Sequence, residues 1–222
     1  MTGAPAAATQ PLVLGIDPGL RVCGWGLVRG GARPEYAGCG VIRPRTRDSI
    51  GRRLLVLYEE IARLIEAHRP DEVAIEEPFV GALAPAAALA IGQARAAAVL
   101  AAAAHGLDVD FYAPAAVKAA VSGYGQGDKR QVQTMVRLLL ELDAAPEPAD
   151  AADALAVAIC HLGNRKARAL AADARANGET SRRASQPTLS SSKAVKQPGS
   201  RAVQQSSKSV SNLQAPASNL QS

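Results

Sequence analysis

Apolar positions between residues 11 and 170 alternate between the short runs of strands and the three-to-four-residue spacing of helices. Short apolar runs bounded by Gly, Pro or Asp predict five strands, at 12–17, 23–28, 35–42, 73–76 and 109–112. Helical spacing predicts five helices, at 48–68, 85–105, 114–121, 128–142 and 150–162. The order βββαβαβααα predicts a mixed α/β fold whose first three strands pair antiparallel.

The ends of the chain lack this periodicity. Residues 1–10 are predicted to be a disordered leader, and 11–170 a single domain. Residues 171–222 are rich in Ser, Gln, Lys and Ala, a composition that cannot bury a core, so this tail is predicted to be disordered. Two interpretations of the tail stay open: a dispensable solubilising segment, or a weak electrostatic contact with nucleic acid or a partner.

The net charge of +5 belongs to the tail. Residues 1–170 hold 18 Lys and Arg against 18 Asp and Glu, a net of zero, whereas residues 171–222 hold 7 against 2, a net of +5. If divalent cations neutralise some acids of the domain, its remaining surface becomes cationic and favours a polyanion.

Cysteine usage and apolar stretches indicate the compartment. Cys23, Cys39 and Cys160 are odd in number and have no paired spacing, which favours reduced thiols in the cytoplasm over a disulfide or zinc scaffold. The start of the chain lacks a secretory pattern, and the longest apolar stretch, 96–104, is too short to span a bilayer. A soluble cytoplasmic protein with no membrane partner is therefore expected.

Four carboxylates stand where they could bind metal. Asp17 and Glu76 end apolar strands, and Asp150 and Asp153 lie one helical turn apart at the start of the last helix. Carboxylates at the ends of buried strands are costly unless a cation offsets their desolvation. Oxygen ligands of this kind suit Mg²⁺, and two such ions can catalyse phosphodiester hydrolysis.

Plainer interpretations exist for each acid. Asp150 could cap the last helix with Asp153 favouring its dipole, Asp17 could be a turn residue, and Glu76 a solvated strand end. Glu76 and Glu77 point to opposite faces of their strand, and alternation alone does not say which one joins Asp17. All four acids being incidental is a less economical account than one metal site.

Two other functions fit parts of the chain. The Gly-rich segment from Gly15 to Gly26 is similar to the phosphate-binding hairpin of actin-like and sugar-kinase ATPases, but one domain leaves no room for their second half. A DNA-binding module whose acids do not cut is the other alternative. It predicts salt-sensitive binding without metal-dependent turnover.

Six collinear blocks between residues 12 and 162 resemble the RuvC family of Holliday-junction resolvases. The blocks are Gly15-Ile16-Asp17-Pro18-Gly19 with Gly24, Ala74-Ile75-Glu76, Gly92-Gln93-Ala94-Arg95, Val117-Lys118, Lys129-Arg130-Gln131-Val132-Gln133 and Asp150-Ala151-Ala152-Asp153-Ala154-Leu155-Ala156. The resemblance implies an RNase H-like fold with a five-stranded mixed sheet, and a homodimer. It also implies nicking of two like-polarity strands of a four-way DNA junction with two Mg²⁺ or Mn²⁺ ions per site, leaving ligatable 5′-phosphate and 3′-hydroxyl ends in recombination and repair.

The same resemblance assigns roles to particular residues. It makes Asp17, Glu76, Asp150 and Asp153 the catalytic metal ligands, and so favours Glu76 over Glu77. It places the catalytic amines of Lys118 and Lys129 near the scissile phosphate, where they also bind DNA, and adds Arg130 and Phe79 as further DNA-binding residues. Phe79 would stack on opened bases, although core packing is its plain alternative. The branch-migration proteins RuvA and RuvB are implied as partners.

Three segments carry predictions of lower detail. The Ala-rich helix at 85–105 is the expected dimer element, because small side chains let helices approach closely. The Gly-rich loop at 122–129 could close over a DNA backbone or be a plain linker. The basic cluster before and within the first helix is either a solvated face or a contact with a DNA arm; its members are Arg43, Arg45, Arg47, Arg52 and Arg53.

Overall fold

A computed structural model describes residues 10–77, 85–123 and 129–184, with the backbone alone for residue 129 and for 170–184. Predictions for residues 1–9, for Phe79, for most of the loop at 122–129 and for the tail from 185 onward lie outside the described residues.

All five predicted strands are present and form one sheet. They are β1 (Leu12–Asp17), β2 (Cys23–Arg29), β3 (Glu35–Ile42), β4 (Glu72–Glu76) and β5 (Val109–Tyr112). The sheet order is β3-β2-β1-β4-β5. The first three strands pair antiparallel, as predicted, while β4 and β5 run parallel to β1. The parallel pairs follow from the helical crossovers that precede β4 and β5.

Five helices accompany the sheet within the described residues: α1 (Ile50–His68), α2 (Pro85–Ala104), α3 (Pro114–Ser122), α4 (Lys129–Leu139) and α5 (Ala149–Ala184). Ser49 caps α1 by accepting a hydrogen bond from the Arg52 amide, and Pro114 begins α3 where its missing N–H costs nothing. The prediction of α4 up to residue 142 is wrong. The helix ends at Leu139, and Glu141 then adopts a left-handed φ of 52° that ends the helical path.

The last helix is much longer than the predicted 150–162. It continues to Ala184, so residues 171–184, assigned to a disordered tail, are helical. The predicted domain boundary at residue 170 falls inside this continuous helix. Alanine and arginine, which dominate this stretch, are strong helix formers, and their propensity favours continuation of the helix.

Side chains that alternate along the strands build two apolar layers on opposite faces of the sheet. On one face, Leu14, Ile16 and Ile75 pack against α1 and α2. On the other, Val13, Ala74 and Tyr112 pack against α3, α4 and α5. The sheet is therefore the middle of three layers. Helix α5 covers the face of the sheet that carries Val13 and every second residue after it on β1.

Helix α2 corrects one further prediction. It is the one helix among the described residues that is long and apolar enough to cross a membrane, with a mean hydropathy of 1.5, so the apolar segment extends well beyond 96–104. Ala94, Ala98 and Ala101 bury one side of α2 in the domain core, beside α1. A core helix of a folded domain passes the same length and composition test.

Candidate active site

Asp17 lies at the C-terminal end of β1, the central strand. The register pairs Asp17 with Gly24 of β2 and pairs Ile16 with Ile75 of β4. The next step of the parallel register places Asp17 beside Glu76. Both acids are half-buried. Two predicted ligands thus end adjacent strands at the same edge of the sheet.

The choice between Glu76 and Glu77 follows from the faces of the sheet. Glu76 alternates with Ile75 and so shares the α5 face with Ala74, whose side chain is buried in the core cluster that contains α5. Glu77 belongs to the opposite side, where the Arg95 guanidinium of α2 donates to its Oε1 at 3.2 Å. Glu76 is therefore the glutamate on the face that Asp17 and α5 share.

Asp150 and Asp153 reach this edge because glycines let α5 touch the sheet. A Cβ on Gly24 would lie 2.0 Å from the Asp150 carbonyl oxygen, and a Cβ on Gly15 would lie 2.2 Å from the Ala154 carbonyl oxygen. No other residue type fits at either position without moving α5. Because Gly24 is the register partner of Asp17, this contact sets the first turn of α5 over the strand end that carries Asp17.

The pKa of the buried Cys23 thiol is affected by two of these carboxylates. Burial is the main cause that raises the Cys23 pKa to about 12, and the carboxylates of Asp17 and Asp150 raise it further. Cys23 is the chain neighbour of Gly24, which pairs with Asp17 and lies against the Asp150 carbonyl oxygen. Asp17 and Asp150 therefore lie close to one thiol, although one belongs to β1 and the other to α5.

The turn after Asp17 is held from α1. Arg53 donates from Nη2 to the Leu20 carbonyl oxygen at 2.6 Å, and Gly19 is so close to the Val22 carbonyl that a Cβ would lie 2.2 Å from it. Arg53 is thus a support of the turn and differs from the exposed arginines of its cluster, which are Arg43, Arg45, Arg47 and Arg52. Sequence reasoning placed Arg53 among surface cations and missed this role.

The four acids share an edge and a face without forming a closed cluster. Among the residues that the structure describes, no three Asp, Glu, His or Cys side chains are grouped as a metal site. Asp17, Glu76 and Asp153 each already interact with a neighbouring group. Their chemistry still fits Mg²⁺ or Mn²⁺, since these hard cations prefer carboxylate oxygens and commonly bind through few of them.

The predicted basic residues are placed unequally. Lys118 is half-buried on α3, a helix that begins two residues after Tyr112, the register partner of Glu76. Arg130 is exposed at the start of α4. Lys129 begins α4, but its side chain and all of Phe79 lie outside the described residues, so their predicted roles stay predictions.

This is the RNase H-like arrangement of metal-assisted nucleases: a five-stranded mixed sheet, acids at one end of its strands, and a helix packed across one face. The chain belongs to the RuvC family: the family described as "Crossover junction endodeoxyribonuclease RuvC" matches residues 13–161. It is therefore an endodeoxyribonuclease, and the actin-like ATPase alternative is set aside.

Relatives and solved structures agree with this assignment. The chain is 48% identical to the crossover junction endodeoxyribonuclease RuvC of Dehalococcoides mccartyi over 155 residues, 69% of this chain and 93% of that one. It is 50% identical to the protein of that name from Maricaulis maris over 159 residues, 71% of this chain and 94% of that one. The Thermus thermophilus RuvC structure is 33% identical with a TM-score of 0.64, covering 70% of this chain and 96% of the other.

A second Thermus thermophilus structure shows RuvC in complex with a Holliday junction substrate. It is 34% identical with a TM-score of 0.64 and covers 68% of this chain and 92% of the other. The yeast mitochondrial Holliday junction resolvase Ydc2, at 16% identity and a TM-score of 0.52, shares the fold.

Proposed function

We propose that this protein resolves four-way DNA junctions by metal-dependent nicking of two strands of like polarity. The observation that carries the proposal is the convergence of Asp17, Glu76 and the first turn of α5 on one edge and one face of the sheet. A related RuvC binds a Holliday junction substrate, which supports the choice of DNA structure.

Asp17, Glu76, Asp150 and Asp153 would hold two Mg²⁺ ions, with Mn²⁺ as a substitute. Such ions, when bound, supply a Lewis acid and lower the pKa of water near the phosphate. Four carboxylates at one edge repel one another, and a divalent cation offsets that repulsion. Metal binding is therefore expected to draw together acids that the fold already brings to one edge.

Basic side chains complete the proposed chemistry. The ammonium of Lys118 stabilises negative charge that develops on the phosphate in the transition state, and Lys129 has the same role from the start of α4. Arg130 contacts the DNA backbone, and Phe79 stacks on bases opened at the junction. Cleavage that leaves 5′-phosphate and 3′-hydroxyl ends allows a ligase to seal both nicks.

A homodimer through α2 matches the symmetry of the junction. Leu89 and Leu100 are 64% and 62% exposed and lie about three turns apart, hence on one face of α2. An exposed apolar helix face of this kind suits a partner. Two copies related by a twofold axis present two active sites to two equivalent strands. Family membership supports cytoplasmic action beside RuvA and RuvB in recombination and repair.

The decisive test compares a labelled mobile four-way junction with a linear duplex of the same sequence, in Mg²⁺, Mn²⁺ or EDTA. Wild type is expected to give paired, ligatable nicks on the junction alone. Asp17→Asn is expected to cut more than about a hundredfold more slowly, because even partners of metal ligands are worth about 10–100-fold. Its junction binding should equal that of wild type.

Asp108→Asn is the matched control, since Asp108 is exposed and precedes the opposite end of β5. Its cleavage should equal that of wild type. Tight junction binding without nicks in either metal would refute the nuclease proposal and favour a binding module. Loss of junction binding together with cleavage in Asp17→Asn would make Asp17 a structural residue.

A further inference from the structure

A buried histidine joins α5 to the sheet about three helical turns after Asp150. His161 is 3% exposed and is the buried polar side chain found within the described parts of the chain. Its Nε2 lies 2.5 Å from Oε2 of Glu72 on β4, and its Nδ1 lies 3.0 Å from the hydroxyl of Tyr112 on β5. One imidazole therefore ties the last helix to two adjacent strands.

The direction of the hydrogen bond to Glu72 follows from the chemistry of a carboxylate. An ionised carboxylate can only accept, so Nε2–H of His161 donates to Glu72. The Tyr112 hydroxyl can donate or accept, so it pairs with Nδ1 whichever role that nitrogen takes. The Tyr112 and His161 rings also meet edge to face, with centroids 5.7 Å apart. Both ring nitrogens of His161 are therefore paired with side chains of the sheet.

Charged neighbours hold the triad at its rim. Arg165 donates from Nε to Oε1 of Glu72 at 2.8 Å, which leaves Oε2 for His161. Arg168 donates to Oδ1 of Asp110 at 3.3 Å, while the other Asp110 oxygen lies 3.8 Å from His161 Nδ1. The two arginines follow His161 on α5, so the helix is fastened to β4 and β5 over two further turns.

The triad shares its elements with the proposed metal ligands. Glu72 is the first residue and Glu76 the last residue of the short strand β4, and Tyr112 is the register partner of Glu76. His161 follows Asp150 by about three turns on the same side of α5, at a distance of about 16 Å along the axis. A helix is stiff over this length, so a slide or rotation at His161 would also move Asp150 and Asp153.

We propose that Glu72, His161 and Tyr112 form a positioning triad that sets α5 against β4 and β5 and so fixes the spacing of Asp150 and Asp153 from Glu76. This inference rests on the proposed function, because it concerns the same acids. The three residues are not among the proposed metal ligands or DNA-binding residues, and their contribution is the geometry of the ligands.

The test measures Mn²⁺ affinity directly, by electron paramagnetic resonance of free Mn²⁺, and the Mn²⁺ concentration that half-saturates junction cleavage. His161→Ala and Tyr112→Phe are expected to raise the Mn²⁺ dissociation constant and the half-saturating Mn²⁺ concentration by about 10–100-fold, as loss of ligand-orienting groups does. His161→Gln keeps a donor and an acceptor and should recover most of the loss. His68→Ala removes an exposed imidazole from α1 and should change neither value.

All variants are compared well below their melting temperatures, as judged by circular dichroism. If His161→Ala does not fold, Tyr112→Phe decides the question, because it removes a single oxygen atom. If the variants melt at lower temperatures but keep the wild-type Mn²⁺ dissociation constant and half-saturating Mn²⁺ concentration, the proposal is overturned and the triad only stabilises the fold. A wild type that binds Mn²⁺ yet cuts no junction would instead defeat the proposed function, while the binding measurement still tests the triad.

Discussion

At the scale of single residues, burial separates the three thiols. Cys23 and Cys160 are buried, and burial is the largest cause that raises their pKa values, to about 12 and about 11. Cys39 is half-buried near the sheet edge, with its Sγ 3.4 Å from the Tyr36 hydroxyl. Since the thiolate is the reactive form, environment should rank the three cysteines in reactivity.

We predict that iodoacetamide at pH 8 alkylates Cys39 first. Cys23 should react at least about a hundredfold more slowly in the folded protein than after unfolding, because each unit of raised pKa lowers the thiolate fraction about tenfold. Peptide mass spectrometry over time measures all three sites, and the urea-unfolded chain is the control. Equal rates at Cys23 and Cys39 in the folded protein would contradict the burial that raises the Cys23 pKa.

Each of the four candidate acids has a local signal in the sequence, either a strand end or a helix start, and their role as metal ligands stays a prediction. The choice of Glu76 over Glu77 could not be derived from alternation alone. The family resemblance favoured Glu76, and the physical reason lies in the register of β4 with β1 and the contact of Glu77 with Arg95, which join residues distant in the chain. Arg53 and His161 were missed for the same reason: their roles are defined by partners on other elements.

At the scale of elements, the contact between α5 and the β1–β2 hairpin positions half of the site. It depends on glycines whose missing side chains leave room for a helix backbone. Gly24 faces the Asp150 carbonyl of α5. Gly163 lies on the exposed part of α5, and a Cβ there would have no neighbour within 4 Å. The two glycines are therefore a matched pair for substitution.

We predict opposite effects for Gly24→Ala and Gly163→Ala. The first should destabilise the fold by about 1–3 kcal/mol, because the new Cβ collides with backbone and displaces the start of α5. The second should stabilise it by up to about 1 kcal/mol, because alanine is the better helix former. Urea unfolding monitored by circular dichroism gives both values. A neutral Gly24→Ala would show that α5 does not press on β2 as closely as the structure indicates.

The sequence predicted the positions of all ten elements but not every boundary. The strands are short and bounded by Gly, Pro or Asp, and their predicted limits differ from the structure by at most one residue at an end. The predicted ends of α4 and α5 were wrong for different reasons: no proline or glycine directly follows Leu139, and Gly163, next to the predicted end of α5, does not stop that helix. The left-handed conformation of Glu141 ends the α4 path, and the Ala- and Arg-rich sequence after Gly163 favours continuation of α5.

At the scale of the whole molecule, chemistry and anchoring occupy different ends of the same elements. Glu76 and Asp150 lie at one end of β4 and α5, and Glu72 and His161 lie farther along the same pair. The net charge of residues 1–170 is zero, with 18 basic against 18 acidic side chains, so cations bound at the acidic edge would make that edge less repulsive to DNA. Metal binding and DNA binding are therefore expected to reinforce each other.

The exposed face of α2 gives the last prediction. Leu100→Glu should convert a dimer to a monomer at concentrations where wild type is dimeric, because burying a carboxylate in an apolar interface is costly. The dimer dissociation constant should rise at least about tenfold, equivalent to about 1.4 kcal/mol. Light scattering after size exclusion measures the mass. Leu138→Glu, on α4 at a leucine that is 52% exposed, is the control and should remain dimeric.

The same variant tests whether two sites act together on one junction. On a supercoiled plasmid with an extruded cruciform, paired nicks by a dimer give linear DNA, whereas a single site gives nicked circles. Leu100→Glu should therefore shift the products from linear to nicked circular DNA, since a monomer brings one set of acids to the two equivalent strands. A monomeric variant that still yields linear DNA at the wild-type ratio would refute the need for a second copy. A Leu100→Glu protein that remains dimeric would place the interface on another surface than α2.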